Sequence, residues 1–276
     1  METKPESKPI HLGGSIEQAT RGKTDLRAIP VLREAFQLTN KTFGAFLPAV
    51  VGYVLLQLVL ILLFLEVQAG NALANLQALL SGGGTSESQV SAEFFNALMM
   101  AGQFADVVSA PLFLVLSLMA VNHAVGLPTR MKQMFGMLPK LIFMATMVTL
   151  FTISLQTLAT TLFFPLGLFL TMAFGTTLLL ICHKRLPLLT AVRYSIISAF
   201  RHLAPLTAVY VVIAGLFILS VMSMGVALIW VLPFYFNVRA IVYRTLFGVT
   251  LKVSGHDDSS GAGGEDNPKG RGLFEA

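Results

Sequence analysis

Leu141-IFMATMVTLFTISLQTLATTLFFPLGLFLTMAFGTTLLLIC-His183 is a run of 43 residues between Lys140 and Lys184 without a single Asp, Glu, Lys or Arg. As one helix, rising 1.5 Å per residue, it would measure about 65 Å, roughly twice the thickness of a bilayer's hydrocarbon core. The run must therefore fold back on itself. Phe163-Phe164-Pro165-Leu166-Gly167 marks the place, because proline and glycine interrupt a helix and the backbone groups freed at a turn need the water of the interface. Two spans follow, 141–162 and 166–183.

The same reasoning extends outward in both directions. Thr42 to Leu65 holds no ionisable side chain except Tyr53 and is bounded by Lys41 and Glu66, giving a span at 43–65. Val107 to Thr129 is free of Asp, Glu, Lys and Arg, but His123, Gly126 and Pro128 blunt its end, which places a span at 106–125. His202 to Val238 is again too long for one crossing. Ser220, Ser223 and Gly225 offer the turn, giving spans at 204–221 and 225–247.

Composition agrees with this count. Of 276 residues, 55% are apolar and 12% charged, with a mean hydropathy of +0.74, whereas a soluble domain carries about 25% charged residues. The expected fold is all-α, a polytopic membrane helix bundle of six transmembrane helices spanning residues 25–250. Residues 1–24, apart from a short turn around Ser15 to Ala19, and 251–276 are expected to be disordered tails. No apolar segment precedes Lys41, so no cleavable signal peptide is expected.

Charge orients the bundle. The 19 Lys and Arg residues fall as seven before the first span, none between the first and second, three before the third, four between the fourth and fifth, and five from Arg239 onward. The segment between the first two spans carries Glu66, Glu87, Glu93 and Asp106 and no basic residue. The positive-inside rule then puts both termini and the basic loops in the cytoplasm. A net charge of +5 thus reports orientation and contact with anionic headgroups, and no nucleic acid is needed to explain it. The residues expected at the headgroups are Arg33, Lys41, Arg130, Lys132, Lys140, Lys184, Arg185, Arg193 and Arg201. Arg239 and Arg244 are expected to snorkel from the last span to the same surface.

Two amphipathic interfacial helices are expected on the cytoplasmic side. One starts near Pro30 with Ile29, Leu32, Phe36 and Phe43 on one face; the other follows Pro187 with Val192, Ile196, Ala199, Phe200 and Leu203 together. A short pattern ending in Pro48, Pro139 and Pro205 raises a threefold repeat of interfacial helix plus hairpin, with chance as the alternative.

Reactive constellations are scarce. There is no Walker A loop, dinucleotide fingerprint, G-x-S-x-G or H-E-x-x-H, and the lone Cys182 excludes an internal disulfide. No catalytic residue, cofactor or metal site is assigned. Asp106 reads as a solvated helix-end acid, and Cys182 and His183, as helical neighbours, point about 100° apart. Spans three and four are rich in threonine; Thr149, Gln156 and Thr160 share a face that serves either helix packing, the preferred reading, or a polar path.

FGMLPKLIFMATMVTL, the Pro/Gly hairpin and ICHKRLPLLTAVRYSIISAFRHLAPLTAV resemble the YciC-like family of uncharacterised bacterial inner-membrane proteins over residues 30–250. The resemblance implies a six-span, multi-pass protein of the bacterial inner membrane and supplies no catalytic residues; the long polar N-terminus and the Gly/Asp/Ser tail depart from it. The function expected is that of a non-catalytic envelope or lipid-interacting scaffold, with membrane lipids and an envelope protein as partners. The alternative is a small-molecule transporter or permease subunit.

Overall fold

The computed structural model describes residues 9–69, 87–127, 136 and 138–252. In chain order the elements are β1 (Pro9–Leu12), α1 (Ile16–Arg21), α2 (Ala28–Ala69), α3 (Glu87–Ala124), α4 (Leu138–Leu162), α5 (Phe164–Phe174), α6 (Thr177–Lys184), α7 (Leu188–Arg201), α8 (Leu203–Met222), α9 (Leu228–Phe247) and β2 (Val249–Lys252). The protein is an all-α helical membrane bundle to which one two-stranded sheet is added.

Among the described residues five helical stretches are long and apolar enough to cross a membrane: Ala28–Gln68, Phe94–Ala124, Leu141–Leu162, Phe164–Lys184 and Leu203–Met222. The turn expected near Phe163 is there, and Pro165 sits in the first turn of α5, where a missing N–H costs nothing. The turn expected around Ser220–Gly225 is also present, with Met224 and Gly225 at positive φ (52° and 86°). The segment expected as a sixth crossing, 225–247, forms α9, whose Asn237, Arg239 and Arg244 keep it outside the apolar set.

The chain gathers into two compact units. The first comprises Met1–Thr42, Ser117–Arg130 and Met172–Ala276; the second comprises Phe43–Leu116 and Met131–Thr171. In the first unit α9 is the central element, with Phe236, Ile241, Tyr243 and Phe247 among the largest fully buried side chains. The second unit packs Leu65, Phe94 and Ala101 against Ile61, Phe64 and Leu98, with the Phe64 and Phe104 rings 5.4 Å apart. There Gln57 donates to both the Tyr53 hydroxyl (2.9 Å) and the Asp106 carboxylate (2.7 Å).

Several expectations are corrected. Residues 9–24 are ordered, and so are 251 and 252: β1 pairs antiparallel with β2, Pro9 opposite Lys252 and Leu12 opposite Val249. Ser15 caps α1 by accepting from the Gln18 amide, and Gly22 closes it at φ 69°. The paired strand positions lie 237 to 243 residues apart (Leu12 with Val249, Pro9 with Lys252), so local composition carries no trace of the partner. Three glycines seal this clasp: Gly14 donates to the Thr245 carbonyl (3.1 Å), and a Cβ on Gly13 or Gly248 would overlap the Arg244 or Gly14 carbonyl. Both also hold positive φ (92° and 65°), which strains any other residue. Residues 253–276 lie outside the described residues.

The threefold repeat is not kept. Pro139 and Pro205 sit in the first turns of α4 and α8, but Pro48 lies far inside α2. The interfacial helix expected from Pro30 is the beginning of α2 itself, continuous through Lys41. Its predicted face points out of the protein at Ile29 and Phe36, while Val31, Ala35 and Thr39 at four-residue spacing are buried. α7 is rotated from expectation, burying Ala191, Val192, Ser195, Ser198 and Ala199 and exposing Phe200.

Candidate functional site

The fourth span, expected as one helix, is two. α5 ends at Phe174 and α6 starts at Thr177, with Gly175 and Thr176 in the break. An interrupted helix in a water-poor bundle leaves carbonyls that need donors from elsewhere in the protein. α7 and α9 supply them. The Ser195 hydroxyl donates to the Ala173 carbonyl and accepts from Thr176, whose Oγ1 lies 2.7 Å away. Arg239 donates from Nε to the Gly175 carbonyl at 3.1 Å, and its Nη2 reaches the same oxygen. Only 6% of Arg239 is exposed, and its guanidinium lies 5.4 Å from the centroid of the Tyr235 ring. A cation at the C-terminal end of α5 also complements the helix dipole.

This overturns the expectation that Arg239 snorkels to the headgroups. Arg244, on the same helix, is half-buried: Nη2 makes paired 2.8 Å bonds to both oxygens of Glu34, and Nη1 donates to the carbonyl of Ala124, the last residue of α3. Asn237 donates to Thr39 (3.0 Å), which itself donates to the Ala35 carbonyl (2.7 Å). Asn237, Arg239 and Arg244 of α9 thus each meet an acceptor on another part of the chain. His183, expected beside an inert Cys182, has Nδ1 2.8 Å from the Tyr243 hydroxyl.

A small cavity opens beside the break, lined by Thr176, Ser195, Ser198, Tyr210 and Arg239 together with apolar residues of α5, α7, α8 and α9. It leaves about 10 Å³ for the centre of a water-sized sphere, room for about one water molecule. The Ser198 hydroxyl is buried there without a hydrogen-bond partner. Gly175 is required by closeness: a Cβ would overlap the Tyr210 hydroxyl. Sequence reasoning missed this cluster. The usable signal was Arg239 in an apolar run, with Gly175 as the second glycine of a span already holding Gly167.

The face of Thr149, Gln156 and Thr160, read as packing or as a polar path, makes the following contacts. Gln156 donates to Thr171 at 2.7 Å, across the α4–α5 hairpin. Thr160, Thr152 and Thr171 donate to carbonyls one turn back on their own helices, and Thr149 is half-buried. A Cβ on Gly167 would overlap the Thr160 side chain. Of these bonds only that from Gln156 crosses between helices.

Of the expected headgroup contacts, Arg33, Lys41, Arg185, Arg193 and Arg201 are exposed and Lys184 is half-buried. Arg130, Lys132 and the side chain of Lys140 lie outside the described residues. On α7, Leu189 (72% exposed), Arg193 and Phe200 (68%) form one outward face, since residues 189, 193 and 200 fall within about 40° of one another on a helix. A second, open cavity of about 470 Å³ lies beside the clasp, lined by Gln18, Lys23, Thr24, Asp25, Arg244 and Thr245 among others.

Comparison with protein-family profiles, with curated proteins and with solved structures gives no match.

Proposed function

We propose that this membrane protein crosses the bacterial inner membrane six times, with α9 as the sixth crossing and both termini cytoplasmic, and acts without catalysis by gripping anionic lipid headgroups. The observation that carries this reading is the outward face of α7. Only Arg185, Leu186 and Pro187 separate α6 from α7, and only His202 separates α7 from α8. A helix tied this tightly between two apolar spans lies at the membrane surface. It offers lipid two large apolar side chains with Arg193 between them and Arg185 and Arg201 at its ends. That combination of buried apolar area and basic charge is what an interfacial helix needs for an anionic leaflet. Membership of the YciC-like family belongs to the same proposal, as does an envelope protein partner. The permease alternative draws less support, because Gln156 is bonded to Thr171 and the Thr152 and Thr160 hydroxyls to the backbone of α4.

The test is a melting experiment on the purified full chain in detergent, with added phosphatidylglycerol or phosphatidylcholine. Phosphatidylglycerol should raise the melting temperature of wild type and leave that of a triple Arg185→Gln, Arg193→Gln, Arg201→Gln variant unchanged. Equal stabilisation by both lipids, or an undiminished response in the variant, overturns the reading. Orientation is checked in intact cells by labelling a Glu87→Cys protein with a membrane-impermeant thiol reagent; no reaction, where known external sites react, defeats it.

A further inference from the structure

We propose that the cavity beside the break in the fourth span is a binding site for one monatomic anion, chloride under ordinary salt conditions. Three observations converge on it. First, size: the space admits about one water-sized body. A carboxylate, phosphate or sulfate, with three or more heavy atoms, does not fit, whereas a halide differs from water by only a few tenths of an ångström in radius. Second, charge: the fourteen lining residues include one cation, Arg239, and no carboxylate. Glu34, held by Arg244, lies outside the lining. In a bundle poor in water, the attraction between a buried guanidinium and an anion is far less screened than at a surface.

Third, the remaining polar groups suit an ion that only accepts hydrogen bonds. Thr176 and Ser195 hand their protons down a chain to the Ala173 carbonyl. Ser198, 1% exposed and with no partner for its hydroxyl, can turn its proton into the cavity at no cost to another bond. The Tyr210 hydroxyl stands against Gly175 on the same lining. Arg239, Ser198 and Tyr210 come from α9, α7 and α8. An ion among them ties three helices to the broken fourth span, so its binding adds directly to the stability of the first unit.

The experiment uses the full chain in detergent, with unfolding followed through its one tryptophan, Trp230. Sodium gluconate is exchanged for sodium chloride or bromide at fixed ionic strength. Wild type should gain melting temperature with chloride in a saturable manner, bromide should reproduce the gain, and gluconate should not. Ser198→Ala should shift the half-saturating chloride concentration upward by about tenfold, the loss expected for one hydrogen bond to an ion. Tyr210→Phe should act in the same direction, and Arg201→Gln, an exposed cation on α7, should leave the midpoint alone. Crystals grown in bromide should show anomalous density in the cavity. A melting temperature indifferent to chloride in wild type, a midpoint unmoved by Ser198→Ala, or a water with no anomalous signal in its place overturns the proposal. The salts exchanged leave the lipid unchanged, so this outcome is independent of the headgroup reading.

Discussion

Replacing Arg239 with methionine separates the two accounts of a basic residue in an apolar helix. If Arg239 reached the headgroups, its loss would cost no more than that of any exposed cation, within about 0.5 kcal/mol. In the structure it holds the Gly175 carbonyl through Nε and Nη2 at the C-terminal end of α5. Methionine fills a similar volume but donates nothing, so a carbonyl in a water-poor bundle loses its donor. Leaving such a group unsatisfied costs about 1–3 kcal/mol, and hydrogen bonds from a charged donor stand at the upper end of the usual range. The cation's interaction with the end of α5 adds up to about 2 kcal/mol. Against this, the variant no longer buries a charge, which returns part of the desolvation cost. The net expectation is a loss of about 3 kcal/mol. For a chain of this length that corresponds to a fall in melting temperature of roughly 6–12 °C, read by Trp230 fluorescence on heating the purified protein. Arg239→Lys, which keeps the charge but loses the planar fork, should fall between the two. Arg33→Gln, exposed on α2, serves as the control and should move the transition by no more than about 2 °C. A methionine variant that melts with wild type would refute the assignment of Arg239 to the broken helix.

Two further substitutions probe the features that composition concealed. Gly248→Ala places a Cβ against the Gly14 carbonyl at a positive φ and should open the clasp, exposing Arg21 and Lys23 to trypsin roughly tenfold faster, the change that about 1.4 kcal/mol of local opening produces; unchanged cleavage would mean that β1 and β2 do not hold the chain ends together. Gly167→Ala drives a methyl group into Thr160 and should cost about 1–3 kcal/mol of thermal stability, most of it restored by adding Thr160→Ala; additive losses in the double variant would show that the two residues are not in contact.

Much of the helical plan is legible because bilayer thickness imposes a length on every apolar run. The break at Phe163 and the turn at Ser223–Gly225 follow from that length and from the residues that tolerate a turn, and both stand in the structure. What stayed hidden is non-local. Nothing within ten residues of Pro9–Leu12 announces a strand, because its partner is Val249–Lys252 and its seal is three glycines brought together from both ends of the chain. The rotation of α7 was missed for a related reason. Apolar spacing grouped Phe200 with Val192 and Ala199 on one face, but the buried face carries Ser195, whose hydroxyl serves a helix break that hydropathy does not register.

The hydropathy of α9 illustrates the reason most directly. In water the most apolar helix is the most buried, since burial is the driving force. In a bilayer lipid is as apolar as leucine, and contact between helices is decided by packing and hydrogen bonds. Hydropathy accordingly does not rank burial: the apolar windows of α2, α4 and α8 have only 17%, 11% and 22% of their residues buried, against 67% in α3 and 61% over Phe164–Lys184. α9 carries Asn237, Arg239 and Arg244 and is buried along most of its length. Each of these side chains answers an acceptor on another helix: Thr39 on α2, the broken end of α5, and the end of α3 together with Glu34. Had α9 been as apolar as α8, the carbonyls of Gly175 and Ala124 would lack these donors, and lipid would serve it as well as protein does. The charges that make α9 the least convincing span by composition are therefore what place it at the centre of its unit.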